Sequence, residues 1–379
     1  MPRSEWPQGA AAAESDDIDG RNVAKSMNLD GKRVLVTGGT GSLGRVLVTR
    51  MLAGEFGRPE RVTVFSRDEA RQHSMRLSLM HLRAATDDVI YSQGLRCLAF
   101  RIGDVRDPVS VRAAVAGADV VINAAAMKQV PTCEYFPEEA QQTNVGGAIN
   151  ILAAVRDAAR PPEVVVGVST DKAVKPVNVM GLTKALQERV FIRANLDCPD
   201  TRFVVVRYGN VIASRGSVVP LFLQQIRNGG PMTITDPRMT RFLMSLDDAV
   251  DTIAAAVAHG TRGEIFVPQA PSARMIDLAR ALCGERDVPI AITGIRPGEK
   301  LHEILISEEE IPRACARGKY YGIQPMLPEL RPQPIVDGAL QSEYSSADNV
   351  VSTERIRTLL AGDGRLTRSL EQALDAEPV

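Results

Sequence analysis

Residues 32–44 read KRVLVTGGTGSLG. An apolar run at 33–36 has the composition of a buried strand. Gly38, Gly41 and Gly44 follow at three-residue spacing, and a helical pattern then continues through Leu52. The glycines allow a tight turn and close approach of backbone to a diphosphate, which would sit on the unpaired N–H groups at the helix amino terminus. Thr40, Ser42 and Leu43 lie between those glycines and belong to the same candidate cofactor loop. A glycine triplet alone is weak evidence. Set between a strand and a helix it predicts an α/β chain with a doubly wound parallel sheet.

Working outward, residues 61–65 (RVTVF) form a second strand, ended by Ser66, Arg67 and Asp68, with Arg71 one turn on. An acidic residue there hydrogen-bonds a ribose 2′-hydroxyl, whereas an arginine accommodates a 2′-phosphate. Ser66, Arg67 and Arg71 therefore favour NADP, and Asp68 leaves NAD open. Residues 97–102 and 119–123 are two further strands. The first ends in Gly103, Asp104 and Val105; the second runs into Ala124, Ala125 and Ala126, small enough for backbone to pass close to a cofactor, and then Lys128. Thr143 and Asn144 fall on a long helix expected over 138–159.

The stretch 166–184, VGVSTDKAVKPVNVMGLTK, carries the chemistry. Val164, Val165, Val166 and Val168 read as a buried strand, running out into a loop at Ser169, Thr170, Asp171 and Lys172. Pro176 breaks the chain, and Asn178 can cap a helix that begins near Val179 and carries Met180 and Lys184. Hydroxyl, carboxylate and ammonium groups thus converge at the carboxyl end of a strand, where open α/β sheets bind ligands.

Beyond a sixth strand at 202–207 come Tyr208, Gly209, Asn210 and Val211, then SRGSVVPLF at 214–222 with Arg215, Ser217 and Val218. Strands are expected at 232–234 and 263–267, and helices from Leu246, over 275–283 and from Leu301 and His302. Arg241, Arg296 and Glu299 lie in loops of this region; guanidinium forks bind phosphate bidentately. The expected division is a disordered tail at 1–28, a nucleotide-binding domain at 29–210, a substrate lobe at 211–310, and an appendage at 311–379. In that appendage Tyr320 and Tyr321 are extended, Thr353 caps a helix, and an oligomer contact is a candidate role.

Lys plus Arg number 45 against 46 Asp plus Glu, a balance that argues against a general nucleic-acid binder. Five scattered cysteines without C-x-x-C spacing favour reduced thiols and a cytoplasmic setting. No run approaches a membrane span, and the four histidines lack metal-ligand spacing, so no structural metal is expected.

TGGTGSLG, FSRDEARQ, AAAMKQVP, TNVGGA, STDKAVKPVNVMGLTK, RYGNVIASRGSVVP, TDPRMTRF and IRPGEKLHE occur in this order. From Lys32 to about Leu360 the chain resembles extended short-chain dehydrogenases, and among them the configuration-inverting UDP-N-acetylglucosamine 4,6-dehydratases of flagellin glycosylation and capsule synthesis. YSSADN resembles capsule-type members. The resemblance implies a Rossmann-like sheet with a smaller α/β lobe, a nicotinamide cofactor, a UDP-sugar substrate and a homo-oligomer from dimer to hexamer. It implies that Asp104 and Val105 hold the adenine, and that Ala124–Ala126, Lys128, Asn144, Tyr208 and Asn210 also contact the cofactor. Lys184 would hold the nicotinamide ribose. Lys172 would act at carbon 5 and Asp171 at the carbon 6 hydroxyl, with Thr170 beside them. Lys128, Thr170, Asn210, Arg215, Ser217, Val218, Arg241, Arg296 and Glu299 would hold the substrate. Met180 occupies the tyrosine position of the family's Tyr-x-x-x-Lys motif, and a thioether has no proton to exchange.

Three other readings stay open. A UDP-sugar 4-epimerase shares the oxidation but needs no acid at carbon 6. A dehydratase forming a carbon 5–carbon 6 alkene shares the elimination. A catalytically silent NADP-binding sensor or scaffold would account for Met180.

Overall fold

The computed structural model describes residues 27–80, 97–212, 217–331 and 338–362. Most of the expected tail, residues 1–26, and Arg215 lie outside these. Met27, at the tail's expected end, is instead buried in the core beside Leu29.

Nine strands form the central sheet: β1 (Arg33–Thr37), β2 (Arg61–Ser66), β3 (Leu98–Ile102), β4 (Val120–Asn123), β5 (Val164–Thr170), β6 (Arg202–Tyr208), β7 (Ile265–Pro268), β8 (Ala314–Arg317) and β9 (Tyr320–Ile323). Their order is β8-β9-β7-β6-β5-β4-β1-β2-β3. From β3 to β7 every pairing is parallel. The 3-2-1-4-5-6 order within it is the Rossmann arrangement, whose switch point lies between β1 and β4. Valine runs such as Val164–Val166 and Val204–Val206 are buried because helices cover both faces of the sheet.

α1 (Ser42–Leu52), α2 (Gly147–Arg156) and α3 (Val179–Asp197) flank the sheet near the candidate motifs. The helix expected over 138–159 is a composite. Pro137–Gln141 leads through a π-helical turn, Gln142–Gly146, into α2. Such turns rotate the side chains that follow and recur at functional sites.

The smaller lobe holds α4 (Val218–Arg227), a three-stranded sheet of Asn210–Val211, Thr240–Met244 and Ser272–Arg274, and the pair Met232–Ile234 with Ile290–Ile292. α5 (Leu246–His259) returns to pack on α1 and the main sheet. α6 (Met275–Cys283) belongs to the lobe.

Three expectations are corrected here. The segment after 310 is no appendage: β9 joins the sheet edge antiparallel to β7, and β8 joins β9. Tyr320 is buried with its ring 5.7 Å from that of Phe266, so the sheet edge needs this segment to cover it. α7 (Thr353–Gly362) buries Ile356 and Leu360 in the lobe core; its amino end is capped by Ser352, whose Oγ accepts from Arg355 N, rather than by Thr353. Nor does a helix start at Leu301. Ile304–Ile306 is a strand paired antiparallel with Tyr344–Ser345, and Glu303 is pinned by a reciprocal pair of hydrogen bonds with Ser346.

Candidate active site

A cleft of about 870 Å³ runs along the carboxyl ends of β1, β2, β4, β5 and β6 and under the smaller lobe. At its nucleotide end Gly38 has φ +66°, and a Cβ there would stand 2.7 Å from Ala125 N. A Cβ on Gly44 would stand 2.5 Å from Gly39 Cα. The loop therefore lies flat against β4 and opens the amino end of α1, where Gly41 stands at the N-cap without a capping side chain. That cradle fits a dinucleotide diphosphate. Thr37 Oγ1 donates to Asn123 Oδ1 (2.7 Å) and accepts from Ala125 N, closing the switch point with two residues that sequence reasoning did not single out.

Gly38, Thr40, Gly41, Ser42, Leu43, Gly44, Ser66, Arg67, Arg71, Val105, Ala124, Ala125, Ala126 and Lys128 all border the cleft. Asp68 is already engaged: Oδ1 caps the following helix through Arg71 N and Oδ2 pairs with Arg71 Nε at 2.9 Å. Asp104 does not line the cleft. It is held by Arg106; burial would raise its pKa, but the Arg106 contacts bring it below the usual carboxylate value. Asn144 is also withdrawn, fully buried and bonded to both backbone groups of Met127 and to Thr183 Oγ1. The π-helical turn presents its neighbour Thr143 instead, which lines the cleft with a buried hydroxyl that has no partner.

At the reactive end β5 continues to Thr170, and Asp171–Ala173 forms a tight 3₁₀ turn. Thr170 Oγ1 donates to Asp171 Oδ1 (2.9 Å), and Lys172 Nζ donates to the same oxygen at 3.0 Å. Lys172 lines the cleft; Asp171 lies fully buried behind it with Oδ2 unpartnered. A second carboxylate, Glu303, faces Lys172 at 3.2 Å. Burial pulls the Lys172 pKa down, but Asp171 and then Glu303 more than offset this, and it ends above the ordinary lysine value despite nearby Arg241. Lys172 therefore rests as an ammonium.

Lys184 is different. Its ammonium donates to Val168 O (2.8 Å) and Gln187 Oε1 (2.9 Å), and burial brings its pKa down to about 8. Asn178 caps α3 as predicted, accepting from Gly181 N at 2.8 Å. Met180 borders the cleft while packing against Cys133 and Ala140. The Cys133 thiol is pushed up by burial, consistent with an inert packing residue.

Tyr208, Asn210, Ser217, Val218, Arg241, Arg296 and Glu299 line the far end. The Tyr208 hydroxyl is raised by burial. Arg241 donates to the carbonyls of Thr240 and Leu301, with Nε 3.8 Å from Glu303. Arg241 and Arg296 thus reach the cleft, and Arg215 lies outside the described residues. Asn210 Oδ1, Ser217 Oγ and Glu303 Oε2 are buried without a hydrogen-bond partner. Polar atoms left in that state inside a cleft mark where a ligand supplies the partner. Glu303 escaped sequence reasoning, although it lies within the quoted motif IRPGEKLHE; Thr143 was placed on its helix but given no site role.

Residues 34–325 match the family described as polysaccharide biosynthesis protein. The chain belongs to that family. Its relatives include a UDP-glucose 4-epimerase of Rickettsia typhi, 45% identical over 298 residues that make up 77% of this chain and 82% of that protein. Among solved structures the chain is similar to Pen from Bacillus thuringiensis, with TM-score 0.78 and 32% identity over 89% of this chain and 99% of that one. DesIV from Streptomyces venezuelae, a dTDP-glucose 4,6-dehydratase solved with NAD and TYD bound, shares the fold at TM-score 0.62 and 22% identity, over 88% of this chain and 99% of that one. The chain is thus a member of the nucleotide-sugar epimerase/dehydratase family with a Rossmann-like short-chain dehydrogenase fold. Among the described residues no helix is long and apolar enough to cross a membrane.

Proposed function

We propose that the protein is a 4,6-dehydratase of UDP-N-acetylglucosamine that inverts carbon 5, giving a UDP-2-acetamido-2,6-dideoxy-4-hexulose. The observation that carries this reading is the Asp171–Lys172 pair in hydrogen bond at the end of β5. An acid and a base in one place are what elimination of water requires. A bound nicotinamide would supply hydride exchange, from carbon 4 and back to carbon 6. The resulting ketone acidifies the carbon 5 proton. One proton shift along the 3.0 Å Lys172–Asp171 bond converts ammonium and carboxylate into amine and carboxylic acid. Lys172 then takes the carbon 5 proton, and Asp171 supplies the proton with which the carbon 6 hydroxyl leaves as water. Reprotonation of carbon 5 from the other face inverts it.

Ser66, Arg67 and Arg71 support NADP; DesIV, solved with NAD, keeps NAD as the alternative. Lys184 would hold the nicotinamide ribose, and Arg241 and Arg296 the UDP diphosphate. Met180 takes no proton, so that of the carbon 4 hydroxyl passes to the Asp171–Lys172 pair or to bound water. Five unpaired cysteines fit a reducing, cytoplasmic setting.

A second reading, UDP-sugar 4-epimerase, is favoured by the Rickettsia relatives' name. Incubation with UDP-N-acetylglucosamine in deuterated water separates the two. Loss of water with deuterium at an inverted carbon 5 supports the dehydratase. An unchanged mass with a new carbon 4 epimer establishes the epimerase and removes the role given to Asp171. A product with a carbon 5–carbon 6 alkene supports the alkene-forming dehydratase instead, in which the hydride goes back to carbon 4 rather than to carbon 6. Bound cofactor without turnover supports the silent sensor.

A further inference from the structure

Glu303 has no role in the reading above, yet it is the most constrained carboxylate in the cleft wall. Its backbone is fixed by Ser346, which accepts from Glu303 N at 2.9 Å and donates its own N–H to Glu303 O at 2.8 Å. Its side chain is 3% exposed. Oε1 stands 3.2 Å from Lys172 Nζ, so Lys172 is flanked by two carboxylates. Oε2 has Lys300 Nζ at 3.9 Å, close enough for charge attraction, and no hydrogen bond.

A carboxylate oxygen out of contact with water and without a donor is a costly arrangement. Lys300 balances charge but directs its own hydrogen bond to Val174 O. Arg241 likewise gives its Nη1 to the Thr240 and Leu301 carbonyls. The missing donor therefore arrives with the ligand. A diphosphate offers no donor at neutral pH and is repelled by a carboxylate; a sugar hydroxyl is neutral and donates. Oε2 marks the hexose end of the substrate.

We propose that Glu303 is a hexose-binding residue, holding Lys172 through Oε1 and accepting a hydrogen bond from a sugar hydroxyl through Oε2. The inference rests on the nucleotide-sugar reading of the cleft, but not on which reaction follows. It is tested by equilibrium binding of UDP and of UDP-N-acetylglucosamine to the full-length protein and to Glu303→Gln and Glu303→Asp. The Gln variant keeps shape and removes charge; the Asp variant keeps charge and withdraws the carboxylate. Both should bind UDP as wild type does. The Gln variant should lose about tenfold or more in affinity for the UDP-sugar, as for a hydrogen bond to a charged group, and the Asp variant should fall between. Unchanged UDP-sugar affinity in Glu303→Gln overturns the inference and leaves the nucleotide-sugar reading standing. Loss of UDP and UDP-sugar binding together in both variants shows a structural role and also overturns it. A wild-type protein that binds neither ligand removes the nucleotide-sugar reading and the inference with it.

Discussion

Lys172 Nζ lies 3.0 Å from Asp171 Oδ1, a contact between sequence neighbours made by the 3₁₀ turn that ends β5. Asp171 is fully buried, and its other oxygen has no partner, so its charge leans on Lys172. Lys172→Met and Asp171→Asn should each lower turnover of the UDP-sugar by roughly 10²–10⁴, the usual yield of general acid–base groups. Affinity for UDP should change little. Steady-state rates with parallel UDP binding check this; a turnover loss below tenfold in both variants would remove the pair from the chemistry.

Lys184 has a folded-state pKa of about 8, below the ordinary 10.5, because burial disfavours its charge. The unfolded chain therefore holds more protons than the folded one between those two values, and stability rises with pH across that window. The full effect is roughly 3 kcal/mol. Lys184→Met removes this dependence, at a pH-independent cost of leaving Gln187 Oε1 without its donor, while Val168 O keeps the hydrogen bond from Gln187 Nε2. Urea unfolding at pH 7 and pH 9.5 should show wild type gaining on the variant at the higher pH. A constant difference would mean that Lys184 titrates normally.

Arg67 and Arg71 border the cleft beside Ser66, while Asp68 is tied up as a helix cap and in its pair with Arg71. A carboxylate so engaged is poorly placed to accept from a ribose 2′-hydroxyl. Arg67→Ala with Arg71→Ala should weaken NADP by at least tenfold, since a charge-assisted phosphate contact is lost, and leave NAD affinity within a few-fold. Fluorescence titration with both cofactors reads the ratio directly; equal losses would assign these arginines no part in cofactor choice.

The nucleotide half of the fold is legible from residue pattern because each of its signals is local. Valine runs punctuated by Gly38, Ala124 and Thr170 place β1, β4 and β5 to within a few residues, and Asn178 announces α3. What escapes depends on partners distant in the chain. Tyr320 is an extended residue in sequence and a sheet strand only because Phe266 and β7 lie beside it. Leu301 and His302 suggest a helix until Ser346 takes the backbone of Glu303. The exchange of Asn144 for Thr143 follows from one extra residue in a helical turn, which no spacing rule for a regular helix contains.

Arg207 shows how firmly the carboxyl-terminal segment is built into the site's support. It is 1% exposed, and its guanidinium bonds both oxygens of Glu188 on α3 and both of Glu310. Glu188 in turn accepts from Ser169, the residue before Thr170. Arg207→Met leaves two buried carboxylates without their cation and should cost about 3–5 kcal/mol, as for other broken buried pairs. The sign with pH follows from Glu310. Burial would raise its pKa, but Arg207 holds it below the usual glutamate value, so its contribution is present above the unfolded pKa and is lost as pH falls through the folded one. In the variant Glu310 keeps its burial without Arg207 to offset it, so the penalty should be greatest at neutral pH and shrink toward pH 5. Urea unfolding of wild type and variant at pH 5 and pH 8 measures it. An equal penalty at both values would mean that lost packing, and not stranded charge, is what Arg207 prevents.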